Sequence, residues 1–314
     1  MRALVVGGTG FIGRFLVPRL SGAGHEVAVV RRPESAAPLP VGVRAIAADR
    51  KRLAEHADAL RAFAPDVVID LILSSGRQAA DLVELFRGHA TRLVAISSMD
   101  VYRATGVLHG LEAGPLEPLP LGEGSALRTR AETYPAAQLA VLQQVFGWVD
   151  PEYDKVAVER ALRADDAPPV TVLRLPMIYG PGDPLHRLHP LLKRMDDGRE
   201  AILLPARYAA WRGPRGYVEN VAAAIARAAT DGRATGRTYN VGEAESLTEL
   251  DWARAVAAAA GWHGRFVVVP DDDAPAHLRM PGRLEQHWVV DTSRIRAELG
   301  FAEDVPRDEA LRAE

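Results

Sequence analysis

Residues 150–160 read DPEYDKVAVER, and in them a phenol and an ammonium, Tyr153 and Lys155, stand two positions apart. A tyrosine beside a cation can be a proton-transfer pair. The positive charge favours the phenolate, and a phenol poised near neutrality exchanges a proton with a substrate oxygen. Asp150 suits an N-cap and Pro151 the first helical position, where a missing N–H does no harm, so a helix is expected from residue 151. On a regular helix, side chains two residues apart point about 200° from one another, onto opposite faces. The stretch therefore reads in three ways: an acid/base pair, a pair that has lost one member, or a solvated helix surface. Lys155 is one of three lysines, with Lys51 and Lys193, in a chain otherwise rich in arginine. Ammonium and guanidinium are not interchangeable in chemistry, which draws attention to each of the three.

A second chemical feature lies at the amino end. VVGGTGFIGRFL sets Gly7, Gly10 and Gly13 between an apolar strand and a helical pattern. In such a turn the first glycine permits the sharp bend, the second lets a pyrophosphate approach the backbone, and the third lets helix and strand pack closely. The helix N-terminus then offers unpaired N–H groups and partial positive charge to an anion. The position of the turn, on the first strand–helix junction, is what makes it a dinucleotide signal. The second strand ends VAVVRRPE, with Arg31 and Arg32 where an acidic residue would grip a ribose 2′-hydroxyl. A guanidinium suits a 2′-phosphate, so NADP(H) is expected, with NAD(H) the alternative. Asp49 and Arg50, after the third strand, are expected near the adenine.

The elements that must position these groups are legible as alternating patterns. Apolar runs at 2–6, 26–31, 43–47, 66–72, 92–97 and 170–175 are separated by segments of helical spacing such as 11–21 and 77–87. Near-continuous apolar strands alternating with helices predict an α/β fold with a doubly wound, Rossmann-type parallel sheet. Residues 103–150, rich in Pro, Gly and charge, read as a long excursion on the carboxyl edge of that sheet. Beyond it come a loop at 176–184, a helix near 187–197, a strand at 200–204, a helix at 218–229, a strand around 237–241 and a helix at 247–260. The expected organisation is a dinucleotide-binding domain over 1–175 and a smaller mixed α/β substrate domain over 176–314, with 215–241 returning to the first.

Composition sets outer limits. The chain has 314 residues, 48% hydrophobic and 25% charged, as in a folded globular protein. A net charge of −3 gives no electrostatic reason to expect nucleic acid or a membrane surface as partner. The absence of cysteine excludes disulfides, thiolate metal sites and a cysteine nucleophile. No signal-peptide pattern is seen, and a cytoplasmic location is expected. His186 and His189 have a metal-like spacing but no evident third ligand, so no metal is expected.

These motifs together resemble the extended short-chain dehydrogenase/reductase superfamily, in its atypical, epimerase/dehydratase-like branch. The resemblance runs through GGTGFIG (7–13), AISSMDVY (95–102), YDKVAVER (153–160), LRLPMIYGPGD (173–183), RGYVENVAAAI (215–225), TYNVGEAESLTELDWA (238–253) and DTSRIRAELGF (291–301). It implies that Ser98, three residues before the Val-Tyr pair, hydrogen-bonds the substrate oxygen. It implies cofactor contacts from Gly7, Thr9, Gly10, Phe11, Ile12, Gly13, Arg31, Arg32, Asp49, Arg50, Leu71, Ser97, Lys155, Pro176 and Ile178. The superfamily's acid/base pair is Tyr-x-x-x-Lys, and here this sequence departs. Four residues after Tyr153 stands Ala157; counted back from Lys155, the tyrosine's place falls on Pro151. The second alignment is preferred: Lys155 holds the ribose, the standard acid/base is missing, and the tyrosines that could compensate are Tyr153, Tyr102 and Tyr134. The resemblance also suggests a homodimer formed through sheet-face helices. Two readings follow. The first is an NADP(H)-binding oxidoreductase or epimerase-like enzyme acting on a carbonyl or hydroxyl of a small or sugar-nucleotide-like molecule. The alternative is a dinucleotide-binding sensor or interaction protein without catalysis.

Overall fold

The computed structural model describes residues 1–165 and 167–313. In chain order its first half comprises β1 (Arg2–Val6), α1 (Gly13–Gly22), β2 (Glu26–Arg31), β3 (Arg44–Ala47), α2 (Ala57–Ala62), β4 (Val67–Asp70), α3 (Gly76–Phe86), β5 (Arg92–Ser98), α4 (Arg103–Leu108), α5 (Ala136–Val145) and α6 (Lys155–Ala161). The second half adds β6 (Val170–Leu175), β7 (Met177–Tyr179), α7 (His189–Asp196), β8 (Ala201–Pro205), α8 (Ala206–Ala210), β9 (Arg215–Tyr217), α9 (Val218–Thr230), β10 (Thr238–Asn240), α10 (Glu249–Ala259), β11 (Arg265–Val269), α11 (Ser293–Leu299) and α12 (Arg307–Arg312).

Seven of the strands form one sheet in the order β10-β6-β5-β4-β1-β2-β3, and every pairing in it is parallel. Successive side chains on a strand point to opposite faces, and here both faces are covered. Ala3, Val5, Val27, Val29, Val94 and Ile96 pack with Leu16 and Leu20 of α1, Ile225 of α9 and Ile295 of α11. Their neighbours Leu4, Val6, Ala28, Val30, Leu93 and Ala95 pack with Leu60 of α2, Leu82 and Phe86 of α3 and Val158 of α6. This is the doubly wound sheet expected from the sequence. The strand order reverses at β1, which opens a crevice at the carboxyl ends of β1 and β4. Two small parallel pairs, β8 with β11 and β7 with β9, lie outside the main sheet.

Several local expectations need correction. The excursion 103–150 is not only loop, because it contains α4 and α5. α5, AAQLAVLQQV, carries no charge and buries none of its residues, so it lacks the polar-and-apolar striping that marks a helix in a sequence. β7, β9 and β11 are also additional, and the first two are only three residues long. The helix expected from residue 151 starts at Lys155 instead. The Asp150 carboxylate is already taken by Arg77 at 2.8 Å and by the Glu152 N–H at 3.0 Å, which turns the chain at 151–152. The cap passes to Asp154, whose side chain accepts from the Val156 N–H at 2.9 Å.

A buried polar chain ties the carboxyl ends of β5, β6 and β10 to α6. Ser97 Oγ donates to Glu159 Oε1 at 2.7 Å, and Arg174 grips both oxygens of Glu159 at 2.9 and 2.7 Å. Arg174 Nη1 donates to the Tyr102 hydroxyl at 3.0 Å, which donates to Asn240 Oδ1 at 2.6 Å. The guanidinium also lies over the Tyr102 ring, 4.9 Å from its centre. Glu159 and Arg174 are each 1% exposed. Removing one member of such a pair strands the other charge in a low-dielectric interior. Arg174→Met is expected to lower unfolding stability by about 3–5 kcal/mol. Glu159→Gln in the same chain should recover part of that loss, both measured by chemical denaturation.

Candidate active site

The glycine turn has the geometry that its sequence demands. Gly7 sits at φ +83°, and a Cβ there would come within 2.9 Å of Ile72. A Cβ on Gly13 would lie 2.5 Å from the backbone of Gly8, so any larger residue drives α1 away from the turn. The Gly10 N–H donates to Gly7 O at 3.0 Å, closing the bend. Among the described residues, the N–H groups of Phe11 and Ile12 have no acceptor on the protein. Two free donors at the head of a ten-residue helix are what a dinucleotide diphosphate requires. Leu71 is buried under this turn, 3.4 Å from where a Cβ of Gly7 would stand. Ile178 joins the apolar cluster that contains Phe11 and Ile12.

The other residues expected at the cofactor behave differently from one another. Arg31 is half-buried at the end of β2, where its Nη1 donates to Ala37 O at 2.8 Å. Arg32 is exposed and pairs with Glu34 at 3.4 Å. Asp49 caps the turn that follows β3, accepting from the Lys51 N–H at 2.9 Å. Arg50 turns inward: it is 6% exposed, lies 2.9 Å from the Asp70 carboxylate at the end of β4, and donates to Gln78 O at 3.0 Å. Ser97 faces the buried Glu159.

Ser98, Tyr134, Tyr153 and Pro176 line one cavity of about 620 Å³, together with Asp100, His109, Trp148, Met177 and the aromatic side chains Tyr208, Trp211 and Trp252. It opens at the carboxyl ends of β5 and β6. Ser98 Oγ accepts from the Asp100 N–H at 3.2 Å. Its own hydroxyl hydrogen is left for a ligand. Tyr102 does not face this cavity. It is fully buried with both lone pair and proton engaged by Arg174 and Asn240, and burial raises its pKa. That leaves Tyr134 and Tyr153 at the site.

Tyr153 reaches the cavity because it precedes the helix. It lies in the irregular backbone before Asp154, so the opposite-faces geometry of a continuous helix does not apply to it and Lys155. Its hydroxyl donates to Asp100 Oδ2 at 2.7 Å, and Tyr134 donates to the same oxygen at 2.9 Å. The two rings are 6.2 Å apart. Burial first, and then the Asp100 charge, hold both phenols well above the ordinary tyrosine value. Lys155 is 4% exposed and donates to the main-chain oxygens of Leu73 and, at 3.0 Å, Ile96. Burial lowers its pKa to about 8, against the opposing pull of Asp100, Asp70 and Glu159. The phenols thus answer to a carboxylate rather than to the ammonium. Asp100 is the residue that sequence reasoning missed; an acid two positions after the strand-end serine, in SSMDVY, was its available signal.

Residues 3–242 match the NAD dependent epimerase/dehydratase family. The chain is 27% identical over 301 residues to the 2'-dehydrokanamycin reductase of Streptomyces kanamyceticus, covering 94% of this chain and 75% of that one. The UDP-glucose 4-epimerase of Thermus thermophilus, solved in complex with NAD, superposes with a TM-score of 0.64 at 24% identity, covering 100% of this chain and 97% of that one. A short-chain dehydrogenase/reductase superfamily protein from Agrobacterium tumefaciens with bound NAD gives 0.70 at 19% identity, covering 99% and 95%.

The tight contact under Gly13 makes a direct test. Gly13→Val should weaken dinucleotide binding by at least about tenfold and lower stability by about 1–3 kcal/mol through overpacking, read by fluorescence titration and thermal melting. The raised phenols bear on alkaline stability. Unfolded tyrosines ionise near the ordinary value of 10.0, whereas Tyr134 and Tyr153 do so only above it. Their contribution is complete below that pH and is lost as pH rises through the folded-state values. Phenolate absorbance from these two residues should therefore appear only in the cooperative alkaline unfolding step.

Proposed function

The chain belongs to the NAD dependent epimerase/dehydratase family, and we propose that it is an NADP(H)-dependent oxidoreductase interconverting a secondary hydroxyl and a ketone on a small polar ring. The observation that carries this reading is the convergence of Ser98 and Tyr153 on one cavity at the carboxyl ends of the sheet strands. A bound nicotinamide dinucleotide supplies or accepts the hydride. Gly7, Gly10, Phe11, Ile12 and Gly13 would hold its diphosphate. Arg31 would meet a 2′-phosphate, with Arg32 beside it and Asp49 toward the adenine. Lys155, with two of its three donors on main-chain carbonyls, keeps one for a ribose hydroxyl. Pro176 and Ile178 would flank the nicotinamide. Ser98 would orient the substrate oxygen and Tyr153 would move its proton.

Charge on the cavity wall favours a substrate without a nucleotide diphosphate. Arg187 is held by Asp183 at 2.7 Å, and Arg215 is ion-paired with Glu249. Arg194 is the remaining wall arginine without a carboxylate partner among the described residues. A volume of about 620 Å³ suits a substrate of one or two rings. The relative from Streptomyces kanamyceticus, a reductase by name, supports the same direction of chemistry.

NADPH should bind at least about tenfold more tightly than NADH, and Arg31→Asp should erase that preference, as expected if a guanidinium pairs with the extra phosphate. With a cyclic hydroxyketone as probe, consumption of NADPH should be followed by absorbance. Tyr153→Phe and Ser98→Ala should each lower kcat by about 100-fold while nucleotide binding is retained. Failure of the intact protein to bind either reduced nucleotide overturns the reading.

A further inference from the structure

We infer that Asp100 is the proton store of this site, taking up and returning the proton that Tyr153 exchanges with substrate. The inference rests on the oxidoreductase reading above and names the group through which its acid/base step runs.

Asp100 is 0% exposed and lines the cavity beside Ser98. Its Oδ2 accepts both phenols, while its Oδ1 is buried with no hydrogen-bond partner. A buried carboxylate oxygen left unpaired carries a desolvation cost, and a catalytic role is one recognised reason for such a group to persist. The nearest cation on hydrogen-bond terms, Arg128, does not neutralise this carboxylate. It donates from Nε to the Asp100 main-chain oxygen at 2.7 Å and from Nη2 to Asp154 at 3.0 Å. The other titratable groups facing Asp100 are Tyr134, Tyr153, Lys155 and His109, the last stacked edge-on against Tyr134 at 5.4 Å.

The direction of the hydrogen bond decides the chemistry. The Tyr153 proton points at Asp100 Oδ2, so the phenol oxygen offers a lone pair, not a proton, to a ligand. In the oxidation direction the substrate O–H bond breaks and its proton passes to the Tyr153 oxygen. The proton Tyr153 held passes to Asp100 Oδ2, and the C–H electron pair leaves as hydride to the oxidised nicotinamide. A ketone, a neutral phenol and a protonated Asp100 result. Reduction runs the same transfers backwards. No free phenolate is formed, so two phenols that resist ionisation are no obstacle. Tyr134, donating to the same oxygen, is a positioning residue that holds the carboxylate in place.

Asp100→Asn separates the possibilities, because the amide oxygen still accepts both phenols but cannot take up a proton. Three readouts are needed: NADPH affinity, phenolate absorbance against pH in the absence of nucleotide, and kcat and KM for oxidation of a cyclic diol by NADP+. NADPH affinity should stay within about twofold. Both phenols should ionise at lower pH than in the parent protein, and in Asp100→Asn/Tyr153→Phe only the Tyr134 part of that shift should remain. kcat should fall by about 100-fold with KM little changed. If Asp100→Asn does not fold, the parent-minus-Tyr153→Phe difference titration must still show a phenol that ionises only above the ordinary value. A Tyr153 titrating normally, or an Asp100→Asn protein with an unshifted phenol or with undiminished kcat, overturns the relay alone. Absence of NADPH binding by the parent protein overturns the oxidoreductase reading and the relay together.

Discussion

Glu159 and Arg174, opposite charges sealed from water, fix the working end of this molecule. Neither could be buried alone; each is tolerable because the other is within hydrogen-bond reach and because Ser97, Tyr102 and the main-chain oxygen of Glu123 supply further bonds. The pair joins α6 to β6, and through Ser97 and Tyr102 it reaches β5 and the Asn240 end of β10. The loop before α6 has to start from that fixed helix. Tyr153 is therefore delivered to the cavity by a buried ion pair that itself never touches it.

The same frame explains why the tyrosine–lysine relation differs from its superfamily pattern. A phenol activated by an ammonium must share a helical face with it, and here the helix begins too late for that. Lys155, as the first helical residue, is drawn under the ends of β4 and β5 by two main-chain oxygens. Tyr153, just outside the helix, turns instead to Asp100. One shift in where a helix starts, set by Asp150 and Asp154 competing for the cap, exchanges a cation for a carboxylate beside the phenol.

The parallel sheet was legible because its strands are apolar on both faces and bounded by helices, a pattern that does not depend on distant partners. The turn at Gly7–Gly13 was legible for a similar reason, since its backbone requirements are local. What was not legible is tertiary. Nothing near residue 100 says that Tyr134 and Tyr153 will converge on it, since these contacts span 34 and 53 residues. Arg50 reads as an adenine neighbour until Asp70 is seen to claim it. α5 escaped because a helix that buries nothing leaves no periodic trace. The start of α6 was misjudged because Asp150-Pro151 and Asp154-Lys155 are both sound openings by local rules, and Arg77 decides between them.

The strand order of the large sheet has a consequence for biosynthesis. β10 pairs with β6, yet it is made about seventy residues later, after β7, β8 and β9 and helices α7, α8 and α9. Until residues 238–240 arrive, the edge of β6 presents unpaired amides and carbonyls, an open template for association with other nascent chains. Completion of the large sheet therefore waits on the segment between β6 and β10, and a chain halted within it would emerge with that border uncovered.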